Sequence, residues 1–226
     1  MKTNLLFVAI IYTALTNIVF AETKIINPRV NGRIEPLGVI EDRLVFSWNL
    51  SDQKPDTMQM EYRVTIQNLW DSGWIKSSRC IEIPYEGKNL QSSTQYRWSV
   101  EIKNNRGETA QLQSPATFTT GIVNPVDWKA KWISMNRIDK DPLPIFRKPF
   151  VIDPAKKIEH AIVHVCGLGH FELNLNGKKV GNHFIDPGWT NYHKTRLYVS
   201  FDLTDSLQPG ENVLGVLLLF QPVKVC

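Results

Sequence analysis

Cysteine is scarce in this sequence of 226 residues: Cys80, Cys166 and Cys226 are the only three. They are widely separated, and no Cys/His spacing resembles a metal-ligand set, so no metal site is expected. Cys80 and Cys166 fall in stretches that read as different domains. Cys166 lies within an apolar segment, where a thiol serves as a small core residue, and no structural disulfide is expected. A Lys/Arg cluster is also missing. The formal charge is +4, but the charges are dispersed along the chain, which argues against a nucleic-acid partner. No segment carries the period of a long amphipathic helix, and after the N-terminus no second transmembrane stretch follows. Gly167 and Gly169 flank Leu168, but no helical pattern follows them. A phosphate-binding loop is therefore excluded, and the pair reads as a bulge or tight bend joining two strands. No cofactor is expected.

What is present fits one or two globular domains, with 42% hydrophobic residues. The first 21 residues stand apart. Lys2 is their lone charge. An apolar run over residues 5–12 follows, with a weaker stretch to Phe20, and Val19 and Ala21 take the small-residue positions of a cleavage site. Residues 1–21 are expected to be a secretory signal peptide, which makes the protein secreted or periplasmic. Thr13, Thr16 and Asn17 leave the run short of the roughly 20 apolar residues a bilayer needs. No membrane association is expected after cleavage.

From residue 25 to 120 the pattern is alternating. Leu44, Phe46 and Trp48 share one face of a strand, as do Met60, Tyr62, Val64 and Ile66, and Tyr96, Trp98, Val100 and Ile102. Each is a strand with one buried and one wet face. Turn residues separate them at Asp71-Ser-Gly73, Glu86-Gly87 and 104–107. Roughly seven short strands of this kind predict a sandwich over residues 22–121. The pattern resembles a fibronectin type III or immunoglobulin-like domain. Trp48 falls on its second strand, and Leu90 followed by Tyr96-Arg-Trp98 resembles its tyrosine-corner strand. Trp70 and Trp74 flank a turn, and their burial is open. Residues 121–125 form a connector.

A second β domain is expected over residues 126–220, with a short tail at 221–226. Pro149 marks an edge strand or a bulge, and residues 153–157 a turn. Residues 163–192 organise this half. Phe171, Leu173 and Leu175 alternate with Glu172, Asn174 and Asn176, and the strand ends in Asn176-Gly177, the strongest short-range hairpin signal. A loop with the Pro-Gly turn Asp186-Pro-Gly-Trp-Thr-Asn-Tyr192 follows. A further strand lies over residues 196–204 and a last one over 212–220. The fold class is thus all-β, with two β-sandwich domains.

The second domain resembles the N-terminal β-sandwich domain of bacterial α-L-rhamnosidases. The resemblance is carried by Trp128-Lys-Ala-Lys-Trp-Ile, Phe146-Arg-Lys-Pro-Phe, Gly167-Leu-Gly-His-Phe-Glu-Leu-Asn-Leu-Asn-Gly177 and Asp186-Pro-Gly-Trp-Thr-Asn-Tyr192. Tyr198-Val-Ser-Phe-Asp-Leu-Thr204 and Gly210-Glu-Asn-Val-Leu-Gly-Val216 complete it. An immunoglobulin-like domain often precedes this one in the family, so the resemblance covers essentially the whole mature chain. It implies a jelly-roll-like second domain and an inverting glycoside hydrolase whose catalytic carboxylates sit on a downstream (α/α)₆ barrel. The chain departs from the family after Val216. A glycine-rich loop is expected there, yet the sequence reads Leu217-Leu-Leu-Phe220 and ends at Cys226 without the barrel, as a truncated chain would.

The carboxylates present do not read as an acid–base pair. Glu172 points outward from a strand, Asp186 opens a turn, and Asp202 faces the polar side of its strand. No catalytic residue is assigned, and the chain alone is expected to be inactive. His164 and His170 have no nucleophile or ligand partner in the pattern and read as structural or surface residues. Trp189 and Tyr192 are the candidates for carbohydrate contact, because aromatic faces pack on the apolar faces of pyranose rings; the large area of Trp189 weighs more toward burial against the sandwich edge or the next domain. Two functions stay open. One is the non-catalytic front of a secreted α-L-rhamnosidase acting on rhamnose-containing glycans. The other is a stand-alone carbohydrate-binding or scaffold protein. The consecutive apolar residues 217–220 raise a further expectation: a strand left at an uncovered edge would promote aggregation.

Overall fold

The computed structural model describes residues 23–40, 44–134 and 143–218. The expected signal peptide, most of the loop expected over 136–144, and Leu219, Phe220 and the tail lie outside these residues. Among the described residues there are fifteen strands and a single short 3-10 turn, Pro125–Asp127.

The first domain is built from nine strands: β1 (Lys24–Val30), β2 (Val45–Ser51), β3 (Gln59–Ile66), β4 (Trp70–Asp71), β5 (Ile75–Lys76), β6 (Ile83–Pro84), β7 (Gln95–Asn104), β8 (Thr109–Gln111) and β9 (Ala116–Thr119). One sheet runs β1-β2-β6. The other is centred on β3 and β7, with β4 and β5 pairing β3, and β8 and β9 pairing β7. Their inner faces meet in an aromatic core of Phe46, Trp48, Tyr62, Trp98 and Phe118. Phe46 lies 4.7 Å from Trp98 and Trp48 lies 5.5 Å from Tyr62, centroid to centroid. Trp70 is drawn onto this core, stacked 6.2 Å from Phe46 and edge-on to Tyr85. Trp74 stays at the surface beneath the Lys103 ammonium. The Tyr96 hydroxyl accepts from the Gln91 N–H at 2.8 Å, the expected corner contact to an upstream backbone group.

One inward position departs from the sequence pattern. Met60 is 51% exposed, whereas Gln59 is 3% exposed. A register shift between Gln59 and Glu61 against β7 inserts an extra residue and turns Met60 outward. The reason lies in the core. Trp48 Nε1 donates to Gln59 Oε1 at 2.9 Å, and Gln59 Nε2 donates to the carbonyls of Ser77 and Arg79. Burying the glutamine satisfies an indole N–H that an alternating apolar face would orphan.

The second domain has β10 (Ile145–Ile152), β11 (Ile162–Cys166), β12 (Phe171–Leu175), β13 (Lys178–Lys179), β14 (Tyr198–Asp202) and β15 (Gly210–Leu218). The sheet β10-β15-β12-β13 faces the ribbon β11-β14. Phe171, Leu173, Leu175 and Leu218 from the sheet pack on Val165 and Phe201 from the ribbon. Asn176 and Gly177 both have positive φ, +52° and +79°, as a two-residue hairpin between β12 and β13 requires. The Asn176 side chain also accepts from Val213 N and donates to the buried Asn212, tying the turn to β15. Pro149 sits on β10, an edge strand paired in unbroken register with β15. The segment Gly167–Gly169 crosses from the ribbon to the sheet. A Cβ on Gly167 would sit 2.9 Å from Phe171 Cδ1, so the crossing needs glycine.

The edge expected at the last strand is not found. β15 lies between β10 and β12, and Leu218 is completely buried. A central strand can bury consecutive apolar residues on both faces, so through residue 218 the run carries no exposed edge.

The bulge predicts an inverted pair of effects. Gln59→Leu should cost about 1–3 kcal/mol, since it strands Trp48 Nε1 and two carbonyls. Met60→Lys should change stability by no more than about 0.5 kcal/mol. Urea unfolding checks both, and a larger loss for the Met60 variant would contradict the register.

Candidate functional site

The loop between β13 and β14 carries the candidate sugar contacts. It is anchored where Phe171 N donates to Asp186 O at 2.7 Å. The Asp186-Pro187 peptide is cis, Pro187 is buried, and His183 Nδ1 lies 2.9 Å from Asp186 Oδ2. From this anchor Trp189 projects outward with 69% of its surface exposed. One ring face lies stacked against His170, with centroids 5.7 Å apart. The indole is thus largely exposed while stacked on a second ring. Tyr192 is half-buried on the following turn, where Lys194 and Thr195 donate backbone N–H groups to Asn191 O. Phe184 is 83% exposed, with Lys179 Nζ 4.4 Å from its ring centre. The sequence reading passed over Phe184, and its signal was an aromatic residue amid Gly, Asn and His rather than in an alternating strand.

Nothing in the described residues assembles an acid–base pair. Glu172 pairs with Lys179 at 3.3 Å, Asp186 with His183, and Asp202 accepts from Thr204 N and Oγ1. Among the described residues, the carboxylates whose ionisation is shifted all lie in the first domain and are shifted downward. Asp52 is lowered to about 2 by hydrogen bonds from Thr23 and the Lys54 backbone, reinforced by Thr57 and Arg106. Glu108 is lowered to about 2 by Lys54 and Asn104, with Arg106 adding its charge. Asp71 is lowered to about 2 by Arg63 and the Gly73 N–H. A glycosidase acid needs the opposite, a carboxyl held protonated near neutral pH. These groups tie the β-strand ends of the first domain together. Among the described residues no cluster of three or more His, Cys, Asp or Glu could hold a metal ion, and no helix is long and apolar enough to cross a membrane.

The domain junction was not legible in the sequence. His164 on β11 stands between two hydroxyls, with Nε2 2.8 Å from Ser93 Oγ of the first domain and Nδ1 2.8 Å from Ser200 Oγ on β14. Tyr198 on β14 accepts from Ile122 N at 2.8 Å through its hydroxyl, and its ring packs against Trp128 and His164. Glycines permit the close approach. A Cβ on Gly121 would lie 2.2 Å from the Tyr198 hydroxyl, and one on Gly38, at φ +73°, would lie 2.9 Å from Ser200 Oγ. His164 is thus structural, as expected, but it serves the joint between the domains. Burial holds its pKa below the ordinary value.

Two consecutive β-sandwiches held together at their junction, the second carrying an aromatic loop, define the architecture. Residues 25–124 match the family described as Rha78A-like, N-terminal immunoglobulin domain, and residues 156–219 match the Alpha-L-rhamnosidase N-terminal domain. By both domains the chain belongs with the N-terminal region of the α-L-rhamnosidases. An alpha-L-rhamnosidase of Formosa agariphila is 28% identical over 84% of this chain, and one of Alteromonas sp. is 28% identical over 83%. The solved alpha-L-rhamnosidase from Dictyoglumus thermophilum superposes with a TM-score of 0.78 at 30% identity over 89% of the chain. The Aspergillus terreus enzyme shares the fold, with a TM-score of 0.73 and 22% identity over 90% of the chain. The chain spans about a quarter of these relatives, 23% of the Formosa and 22% of the Alteromonas protein, and 26% of each solved chain.

Protonating His164 is unfavourable in the folded junction because burial penalises the charge. The unfolded chain therefore binds more protons as pH falls through about 6.5, the free imidazole value. Stability from this group is present above that pH and is lost as pH drops toward the lower folded value. His164→Gln should flatten the difference in urea midpoint between pH 7.5 and pH 5.5. An unchanged slope in the variant would mean that the group does not titrate differently on folding.

Proposed function

We propose that this chain is the front, non-catalytic portion of a secreted α-L-rhamnosidase, an enzyme that removes terminal α-L-rhamnose from glycans or glycosides. The observation that carries the reading is the pair of domain matches, in order, over most of the chain. The downward-shifted carboxylates support it from the chemical side, since hydrolysis needs an acid and a base placed across the scissile bond. Catalysis would then reside outside these two domains, whose task is to present a carbohydrate-facing surface. On that surface the exposed indole of Trp189 and the half-buried phenol of Tyr192 would meet a pyranose. Export follows from the signal-like residues 1–21, so the secreted product should begin at Glu22 on N-terminal sequencing.

The 226-residue chain alone should not hydrolyse a chromogenic α-L-rhamnoside. Turnover by the purified protein, abolished by a single carboxylate substitution within it, would overturn the assignment of catalysis elsewhere. Methyl α-L-rhamnoside should change the fluorescence of Trp189, and Trp189→Ala should weaken its binding at least about fivefold through loss of the stacking face. Binding that survives the substitution would place sugar contact elsewhere.

A further inference from the structure

The domain junction encloses a cleft of about 570 Å³ that is separate from the Trp189 ring. Arg33, Leu37, Gly38 and Ile40 of the first domain form one wall, and Arg196, Leu197 and Tyr198 form the other, with His183 also lining it. We propose that this cleft binds an acidic pyranose, a sugar bearing a carboxylate or a sulfate ester. The choice of a sugar as the carrier of the anion rests on the reading of the chain as a glycan-facing module.

Three features carry the inference. The first is charge. Two guanidinium groups line the cleft, and among the described residues no carboxylate lines it; the His183 imidazole that also lines it is paired with Asp186. Among the described residues neither Arg33 nor Arg196 has an ion-pair partner, although Lys54, Arg63, Lys103 and Arg106 each have one. Guanidinium presents paired N–H donors that match the two oxygens of a carboxylate or sulfate. The second is the apolar complement. Ile40 is 59% exposed and Leu197 42% exposed, and both face the same space with Leu37. Apolar side chains beside convergent charges suit the mixed faces of a sugar ring, and the volume lies within the range of small-ligand sites.

The third feature is rigidity. The wall carrying Leu37 and Ile40 is pinned by Thr119 N to Pro36 O, Val39 N to Thr119 O and Gly121 N to Val39 O, each at 2.9–3.0 Å. Gly38 lets this segment descend onto Ser200, and the Tyr198 hydroxyl bond to Ile122 N fixes the opposite wall. The tyrosine hydroxyl and Ser200 are engaged in the joint. The arginines are the strong donors left for a ligand. A cleft assembled in advance in this way spends little binding energy on ordering its walls.

The test is an NMR titration of the full ¹⁵N-labelled chain, reading the Arg Nε–H resonances. Methyl glucuronide and glucose 6-sulfate are the probes, with methyl glucoside as the neutral control and inorganic sulfate as the bare anion. The acidic sugars should shift the Arg33 and Arg196 signals, with an affinity that falls as salt is raised. Arg33→Gln or Arg196→Gln should weaken binding about tenfold through loss of a charge-assisted pair. The stronger of the two acidic probes identifies the anion. No shift with either, an equal response to methyl glucoside, or equal affinity for inorganic sulfate would each overturn the proposal. Amide spectra of the variants matching the wild type establish that the fold is intact. Rhamnoside binding read at Trp189 in the same samples fails or succeeds independently, so the two readings are separately testable.

Discussion

The contact on which the architecture turns is the hydroxyl of Tyr198 against the backbone N–H of Ile122. It joins a strand of the second sandwich to the residue immediately after the first, at the point where the connector begins. A buried N–H at such a corner must find an acceptor, and here it is a side chain from the other domain. The phenol can reach it only because residue 121 has no side chain, and Trp128 closes over the same ring from the connector side. His164 adds a second bridge through Ser93 and Ser200. Individually these bonds are worth little net stability, about 1 kcal/mol each. Together they set the angle between the domains, because each leaves a polar group without a partner if the domains swing apart.

The two sandwiches are unequal in depth. The first buries many aromatic and β-branched side chains almost completely between two sheets, Trp48, Trp98, Phe46, Phe118, Ile66, Ile102, Val64 and Val100 among them. The second opposes a four-stranded sheet to a two-stranded ribbon, and Phe146, Phe150, Val199 and Val216 remain only partly covered. Clamping the shallower domain to the deeper one therefore benefits the former more. A ribbon of two strands is marginal by itself, and its strand β14 is the one that carries Tyr198 and Ser200 into the joint.

Most of the fold was legible because it is written in local periodicity and turn chemistry. Phe46 and Trp48, the run from Trp98 to Ile102, and the Asn176-Gly177 hairpin all fall where alternation and glycine placed them. Tyr96 closes its corner as the immunoglobulin-like pattern implied. Met60 misled because a bulge shifts the phase by one residue, and the cause, an indole N–H in need of an acceptor, lies on another strand. The central position of β15 was hidden for a related reason: four apolar residues in a row do not say how many neighbours the strand has. The junction escaped altogether. Ser93 and His164 are 71 residues apart, and Gly38, Gly121 and Ser200 carry no pattern that would bring them together. Of the candidate site, the exposed Trp189 was visible as an aromatic on a Pro-Gly turn, whereas its stacking on His170 and the arginines of the cleft depend on tertiary placement.

The second domain exposes several large apolar residues. Ile145 and Val151 project from the edge strand β10 at 72% and 69% exposure, and Phe184 from the loop at 83%. Single exposed apolar side chains are ordinary, but an edge strand with two of them is open to pairing with another chain. Here the same strand carries Arg147, Lys148 and Pro149 between them. Proline removes a ladder donor, and the two cations oppose approach by an identical edge. β10 thus resists indiscriminate strand addition while keeping apolar contact points at its ends.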